Sequence, residues 1–326
     1  MEYSLIELIQ GLDEGKWNSV DLVSMYLDQI ERHDQNGKKL NAVRIINPEV
    51  WQIAKALDEE RLTKGKRSLM HGIPILLKDN ICTHDGMPTT ASSLSLADLY
   101  APKDAFVVKA LRDAGAIILG KTNLSEFAYF MSYDKMPSGY GSMHGQVKNP
   151  YHDDIDPLGS STGSAVAVAA NMVPVAVGTE TNGSLMAPAL ANSITAIKPT
   201  LGLVSRSGII PISPLQDTAG PMARSVRDCA LLLQSMVKKD DQDSSMSCFP
   251  NEIPDYEHAP ELPIQGKKIA ILTFEGYPYT EEERLILNEA KAVFQQAHVQ
   301  VDEVLFEPKP IYNDKTLLYE FKVALN

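Results

Sequence analysis

Residues 158–199, LGSSTGSAVAVAANMVPVAVGTETNGSLMAPALANSITAIKP, limit what this chain can fold into more than any other stretch. Only Glu180 and Lys198 carry charge in it. Gly159-Ser160-Ser161-Thr162-Gly163-Ser164 forms a glycine- and serine-rich loop, residues 165–170 are a small apolar run, and residues 173–178 read as a buried strand. A second tight loop, residues 179–184, closes the unit. So little charge means burial. Two glycine loops bracketing a closely packed helix predict a backbone that approaches a partner and donates N–H groups to it. The hydroxyls of these loops are the first candidates for chemistry.

Around this stretch the pattern alternates. Ser4 and Glu7 have capping-box spacing, and Leu22, Val23, Tyr26, Leu27 and Ile30 recur at helical spacing. A third helix is expected over 49–61. Residues 71–80 hold a short apolar strand ending in Lys78. Further along, 104–114 reads as helix, 116–119 as strand and 123–131 as helix. Residues 131–157, rich in Gly, Ser, Tyr, Pro and Asp, read as a long loop. Short extended segments are expected over 202–212, then an amphipathic helix over 225–237. A polar, acidic surface linker follows to residue 260. Residues 267–273 and 299–305 read as strands. Between them a helix opens on the capping box Thr280 to Glu283 and shows Ile286, Ala290, Val293 and Ala297 on one face. The alternation predicts an α/β fold with a mostly buried sheet.

Composition excludes several classes. With 326 residues and 44% of them hydrophobic, the chain can build a large core. A net charge of −12 argues against a nucleic-acid partner, which would call for clustered Lys and Arg. Three cysteines without CxxC spacing suit a reducing compartment. The acidic N-terminus lacks the basic start of a signal peptide. The apolar run 165–178 is broken by Asn171 and Pro174 and is too short to span a bilayer. A cytoplasmic protein with no membrane or nucleic-acid partner is expected; a homo-oligomer is compatible with this reading.

Each local motif has a competing explanation. Gly159 to Gly163 matches G-x-S-x-G with Ser161 central, yet the preceding residues 152–157 are loop-like rather than an apolar strand. Only His258 and His298 follow it as triad candidates, both in polar settings. A P-loop would need lysine after the second glycine, where Ser164 stands. Ser132 and Lys135 fit S-x-x-K, a pattern short enough to arise by chance. Lys64-Gly65-Lys66-Arg67 reads as a solvated turn. The seven histidines show no ligand spacing, so no metal or other cofactor is expected. Lys78 is the open case. Lysine at a strand end is ordinarily a solvated cap, but a buried one loses its proton readily and becomes a neutral base.

Taken in order, GIPILLKDN with Lys78, GSSTGSA and TETNGS resemble the amidase signature family of serine hydrolases. DAFVVKALRDAGAIILGKTNLSEFA (residues 104–128) and KPTLGLVSRSGIIPISPLQDTAGPMARSV (residues 198–226) extend the likeness, which is strongest from His71 to Met236. The resemblance implies a twisted mixed β-sheet core flanked by α-helices on both faces. It implies a Ser–cis-Ser–Lys triad. Lys78 matches the family's lysine, Ser160 the bridging serine held behind a cis peptide bond, and Ser184 the nucleophile. Thr181, Asn182 and Gly183, with Ser184, match the loop whose backbone N–H groups form the oxyanion hole.

The expected reaction is therefore hydrolysis of a carboxamide C–N bond, in a peptide C-terminal amide or a small amide, through an acyl-enzyme. Leu158 stands where many members have glycine, and Met186 where many have arginine. The missing arginine argues against the amidotransferase subunit that supplies ammonia for transfer-RNA charging; the likeness to bacterial peptide amidases is greater. The alternatives are such a subunit, or a truncated or inactive member. One domain is expected over 1–326: a helical segment 1–65, a catalytic core 66–240, a linker 241–265 and a β-α-β segment 266–326. The resemblance also implies that a C-terminal portion is lacking.

Overall fold

The computed structural model describes residues 2–130, 136–307 and 314–325, so the Ser132–Lys135 pattern lies outside the described residues. The chain divides into two compact units, one of residues 1–260 with 316–326 and one of residues 261–315. In the first, α1 (Leu5–Asp13) and α2 (Ser19–Ile30) precede β1 (Val43–Ile46), α3 (Val50–Lys64) and β2 (Pro74–Lys78). Next come α4 (Phe106–Asp113), β3 (Ile117–Thr122) and the small hairpin of β4 (Tyr140–Gly141) with β5 (Gly145–Gln146). The central stretch supplies α5 (Thr162–Ala169), β6 (Val175–Glu180), α6 (Met186–Ala191) and β7 (Thr195–Ala196). β8 (Thr218–Ala223) and α7 (Val226–Met236) follow.

The helix starts have local causes. Ser4 and Glu7 cap α1 reciprocally, Asn18 and Asp21 do the same for α2, and Ser225 accepts from Asp228 N at the start of α7. Each cap satisfies N–H groups that the first helical turn leaves without partners. The central sheet has the order β1-β3-β2-β6-β8-β7. β2 pairs parallel with β3 and β6, while β1, β8 and β7 pair antiparallel, so the sheet is mixed and the fold is α/β. Every residue of β2, β3, β6 and β8 is buried. Central strands covered on both faces read as continuous apolar runs rather than alternations. Truncating an aliphatic side chain buried like Leu76 or Leu77 to alanine ordinarily costs about 2–5 kcal/mol. α5 packs on β2, β3, β6 and β8, which puts its N-terminus near the carboxyl ends of β2 and β6.

Four details differ from the sequence reading. Instead of a helix over 123–131, Glu126–Tyr129 is a short turn in which Phe127, Ala128 and Tyr129 have φ of 43°, 52° and 78°. Residues 202–212 form turns with an isolated bridge, Ile209 to Ile81, and the strand that follows is β8. The polar segment after residue 238 is pinned: Asp243 holds Arg206, and Asp240 accepts from Ser205 Oγ at 2.7 Å. In the second unit β9 (Lys268–Phe274) and β10 (Gln300–Phe306) pair parallel around α8 (Glu281–Gln296). The more shielded face of α8 carries Leu287, Ala290, Lys291 and Phe294, offset from the expected one; Ile286 and Val293 are exposed. α9 (Asp314–Leu325) ends the described chain. Among the described residues no helix is long and apolar enough to cross a membrane.

Candidate active site

β2 and β6 run parallel, with Leu77 opposite Val177, so their carboxyl ends bring Lys78 beside Thr179. Backbone alternation sends Lys78 and Asn80 to one side and Asp79 to the other. Asp79 accordingly meets Arg44 Nε at 2.8 Å and Lys121 Nζ at 3.8 Å, in a buried cluster separate from Lys78. Lys78 is wholly buried. Its Nζ lies 2.7 Å from Ser160 Oγ, 2.9 Å from Thr179 Oγ1 and 3.2 Å from the Thr179 carbonyl. Burial pulls its pKa from 10.5 down to about 7, against the opposing pull of the Asp217 and Glu180 charges. A neutral amine has two N–H groups and one lone pair. The Thr179 carbonyl and hydroxyl can take the two N–H groups, which leaves the lone pair to accept the Ser160 proton.

Ser160 follows a cis peptide bond with Gly159, and its carbonyl accepts from Ser125 N at 3.2 Å. Ser161 precedes α5, and its hydroxyl is committed to the backbone: it donates to the Thr179 carbonyl at 2.9 Å and accepts from Thr179 N at 3.2 Å. Its own N–H donates to the Ser184 carbonyl at 3.2 Å. Ser161 thus fastens the two loops together. Gly163 serves packing as well as N–H donation: its N–H donates to the Asn123 carbonyl at 2.9 Å, and a Cβ there would collide with the Ala42 and Asn123 carbonyl oxygens.

The turn from β6 into α6 carries the remaining candidates. Thr181 and Ser184 are buried, Gly183 is half-buried and Asn182 is exposed. Gly183 adopts φ +81°, where a side chain would be strained. Among the described residues, none of the backbone N–H groups of 181–184 donates a hydrogen bond. The next two are held by one oxygen, since Glu180 Oε2 accepts from Leu185 N at 2.8 Å and Met186 N at 3.1 Å. Thr181 Oγ1 donates to Asp217 Oδ1 at 2.5 Å, and Asp217 Oδ2 accepts from Ile212 N and Ser213 N at 2.7 and 2.9 Å. The contacts therefore join Lys78 to Ser160. The Ser184 hydroxyl makes no hydrogen bond among the described residues.

Thr179, Glu180, Asp217 and Asn80 were not singled out from sequence. Glu180 had a signal, as one of two charges in an otherwise apolar stretch. The others become visible only through pairing across the sheet. Two of the seven histidines are bonded elsewhere: His71 bonds the Leu57 carbonyl and Arg67 N, and His84 the Ala101 carbonyl.

The model of the family described as Amidase matches residues 21–323. The chain belongs to the amidase family. The native peptide amidase of Stenotrophomonas maltophilia is 41% identical and superposes with a TM-score of 0.90 over 99% of this chain and 67% of its own. An amidase family protein of Bacillus anthracis gives 41% identity and a TM-score of 0.92, covering 99% of this chain and 64% of its own. The amidase-signature fold is therefore shared. One subunit of the glutamyl-tRNA(Gln) amidotransferase of Methylococcus capsulatus is 41% identical over 268 residues, 82% of this chain and 53% of that protein. The chain spans 41% of the length of a putative amidase of Schizosaccharomyces pombe and 64% of that of a probable amidase of Arabidopsis thaliana.

Proposed function

We propose that the protein hydrolyses a carboxamide C–N bond, as a peptide C-terminal amide or a related small amide, with Lys78, Ser160 and Ser184 as its triad. The observation that carries this reading is the 2.7 Å contact between a fully buried lysine and the Ser160 hydroxyl. Neutral Lys78 accepts the Ser160 proton as Ser160 accepts that of Ser184. The Ser184 oxygen then bonds to the amide carbon. The unused N–H groups of residues 181–184 receive the developing oxyanion, a contribution of about 3–4 kcal/mol for a well-placed donor in other hydrolases. The C–N bond breaks as Ser160 returns the proton to the departing nitrogen. Water, deprotonated by the same relay, cleaves the acyl-enzyme and frees the acid and Ser184.

The peptide amidase likeness, with Met186 in place of the arginine expected of an amidotransferase subunit, favours hydrolysis over ammonia supply to a partner. All three cysteines are free, which suits the reducing cytoplasm. A fluorophosphonate probe followed by peptide mapping tests the assignment. Modification at Ser184 is expected; modification at Ser161, or none in folded protein, would contradict it.

A further inference from the structure

Next to the relay lies a cavity of about 300 Å³ walled by Asn80, Thr179, Thr181 and Asp217, with Arg206 and Asp243 on the wall as well. The segment 209–212 supplies apolar surface. Arg206 is already spent: it meets Asp243 through Nη2 at 2.7 Å and Nε at 3.2 Å. Asp217 has no cation at ion-pair distance among the described residues, although it is largely buried. Burial pushes its carboxyl up, against the hydrogen bonds from Thr181, Ile212 and Ser213 and the Arg206 charge. Asn80 is 5% exposed, and its Nδ2 donates to Thr179 Oγ1 at 3.0 Å. Its Oδ1 is buried and has no hydrogen-bond partner among the described residues. A buried acceptor left unpaired is costly, and the same cavity is walled by a carboxylate with no cation at ion-pair distance among the described residues. Both deficits are met by the same chemistry, a charged N–H donor.

We propose that this cavity is a subsite for a protonated amine, held by Asn80 Oδ1 and the Asp217 carboxylate. The amidase reading enters only through the source of that amine, which is either an amino group on the amide substrate or the ammonium released from it. The test is binding of carbon-13-labelled methylammonium, followed by NMR and calorimetry, with methanol as a neutral probe of similar size. Methylammonium should saturate the wild-type protein and methanol should not. Asn80→Leu should weaken methylammonium binding by about tenfold or more, the usual consequence of losing a hydrogen bond to a charged group. Asn80→Asp keeps the shape, adds a carboxylate and should tighten binding, so the test survives if the leucine variant misfolds.

Steady-state kinetics separates the two sources. A substrate amine predicts a lower KM for an amino-bearing amide than for its acetylated counterpart, with the gap closed in Asn80→Leu. Released ammonium predicts product inhibition that Asn80→Leu relieves. Equal methylammonium binding by wild type and Asn80→Leu, or equal binding of methanol, overturns the subsite. Methylammonium binding without amide hydrolysis would instead sink the proposed function and leave the subsite standing.

Discussion

Lys78 ends a strand in which every side chain is buried, and among the described residues its amine meets only hydroxyl and carbonyl oxygens. That arrangement costs stability. The unfolded chain takes up the lysine proton at 10.5, whereas the folded protein does so only at about 7. Between those values the unfolded state binds more protons, so stability rises with pH across the window. Lys78→Met fills similar volume and has nothing to titrate. It should abolish hydrolysis yet raise the melting temperature at neutral pH and flatten its rise toward pH 10, read by thermal unfolding across buffers. An unchanged pH dependence of melting would contradict burial of a neutral amine. The sequence offered both readings of Lys78, and its own strand did not decide between them. The deciding partners, Thr179 and Ser160, come from segments about a hundred residues away in the chain.

The turn between β6 and α6 is organised by one carboxylate oxygen. Glu180 Oε2 holds both Leu185 N and Met186 N, directly after the residues proposed to bind the oxyanion. Glu180→Ala leaves two N–H groups without a partner, at about 1–3 kcal/mol for each that stays buried. It should lower both the melting temperature and kcat, with KM less affected. Glu180→Gln keeps a carbonyl oxygen able to accept both bonds but removes a charge that holds the Lys78 pKa up. It should retain much of kcat while moving the pH–rate midpoint lower. Equal loss in both variants would show that charge, not turn geometry, was the requirement.

This element was legible as two glycine loops around a helix. Its neighbour β8 was not. Pro221 sits opposite Val177 in the sheet and its carbonyl accepts from Ile197 N at 3.1 Å. Proline lacks a donor, and a strand keeps such a residue when its acceptor is the group in use. The helix expected over 123–131 does not form, since Phe127 to Tyr129 adopt left-handed backbone.

Across the molecule, the alternation of helices and strands predicted α/β architecture because buried parallel strands have a strong apolar signature. Pairing order, the pinned segment after residue 238 and the division into two units depend on contacts far apart in sequence, which no local pattern encodes. In the proposed mechanism the central sheet holds one lysine dry and within reach of one serine. The most direct test is the pH dependence of fluorophosphonate labelling, compared between wild type and Lys78→Arg. The rate should climb with pH and level off above a midpoint near about 7, as Lys78 becomes neutral. The arginine variant, which cannot release its proton, should not label. A pH-independent rate, or substantial labelling of Lys78→Arg, would contradict the relay from Lys78 through Ser160 to Ser184.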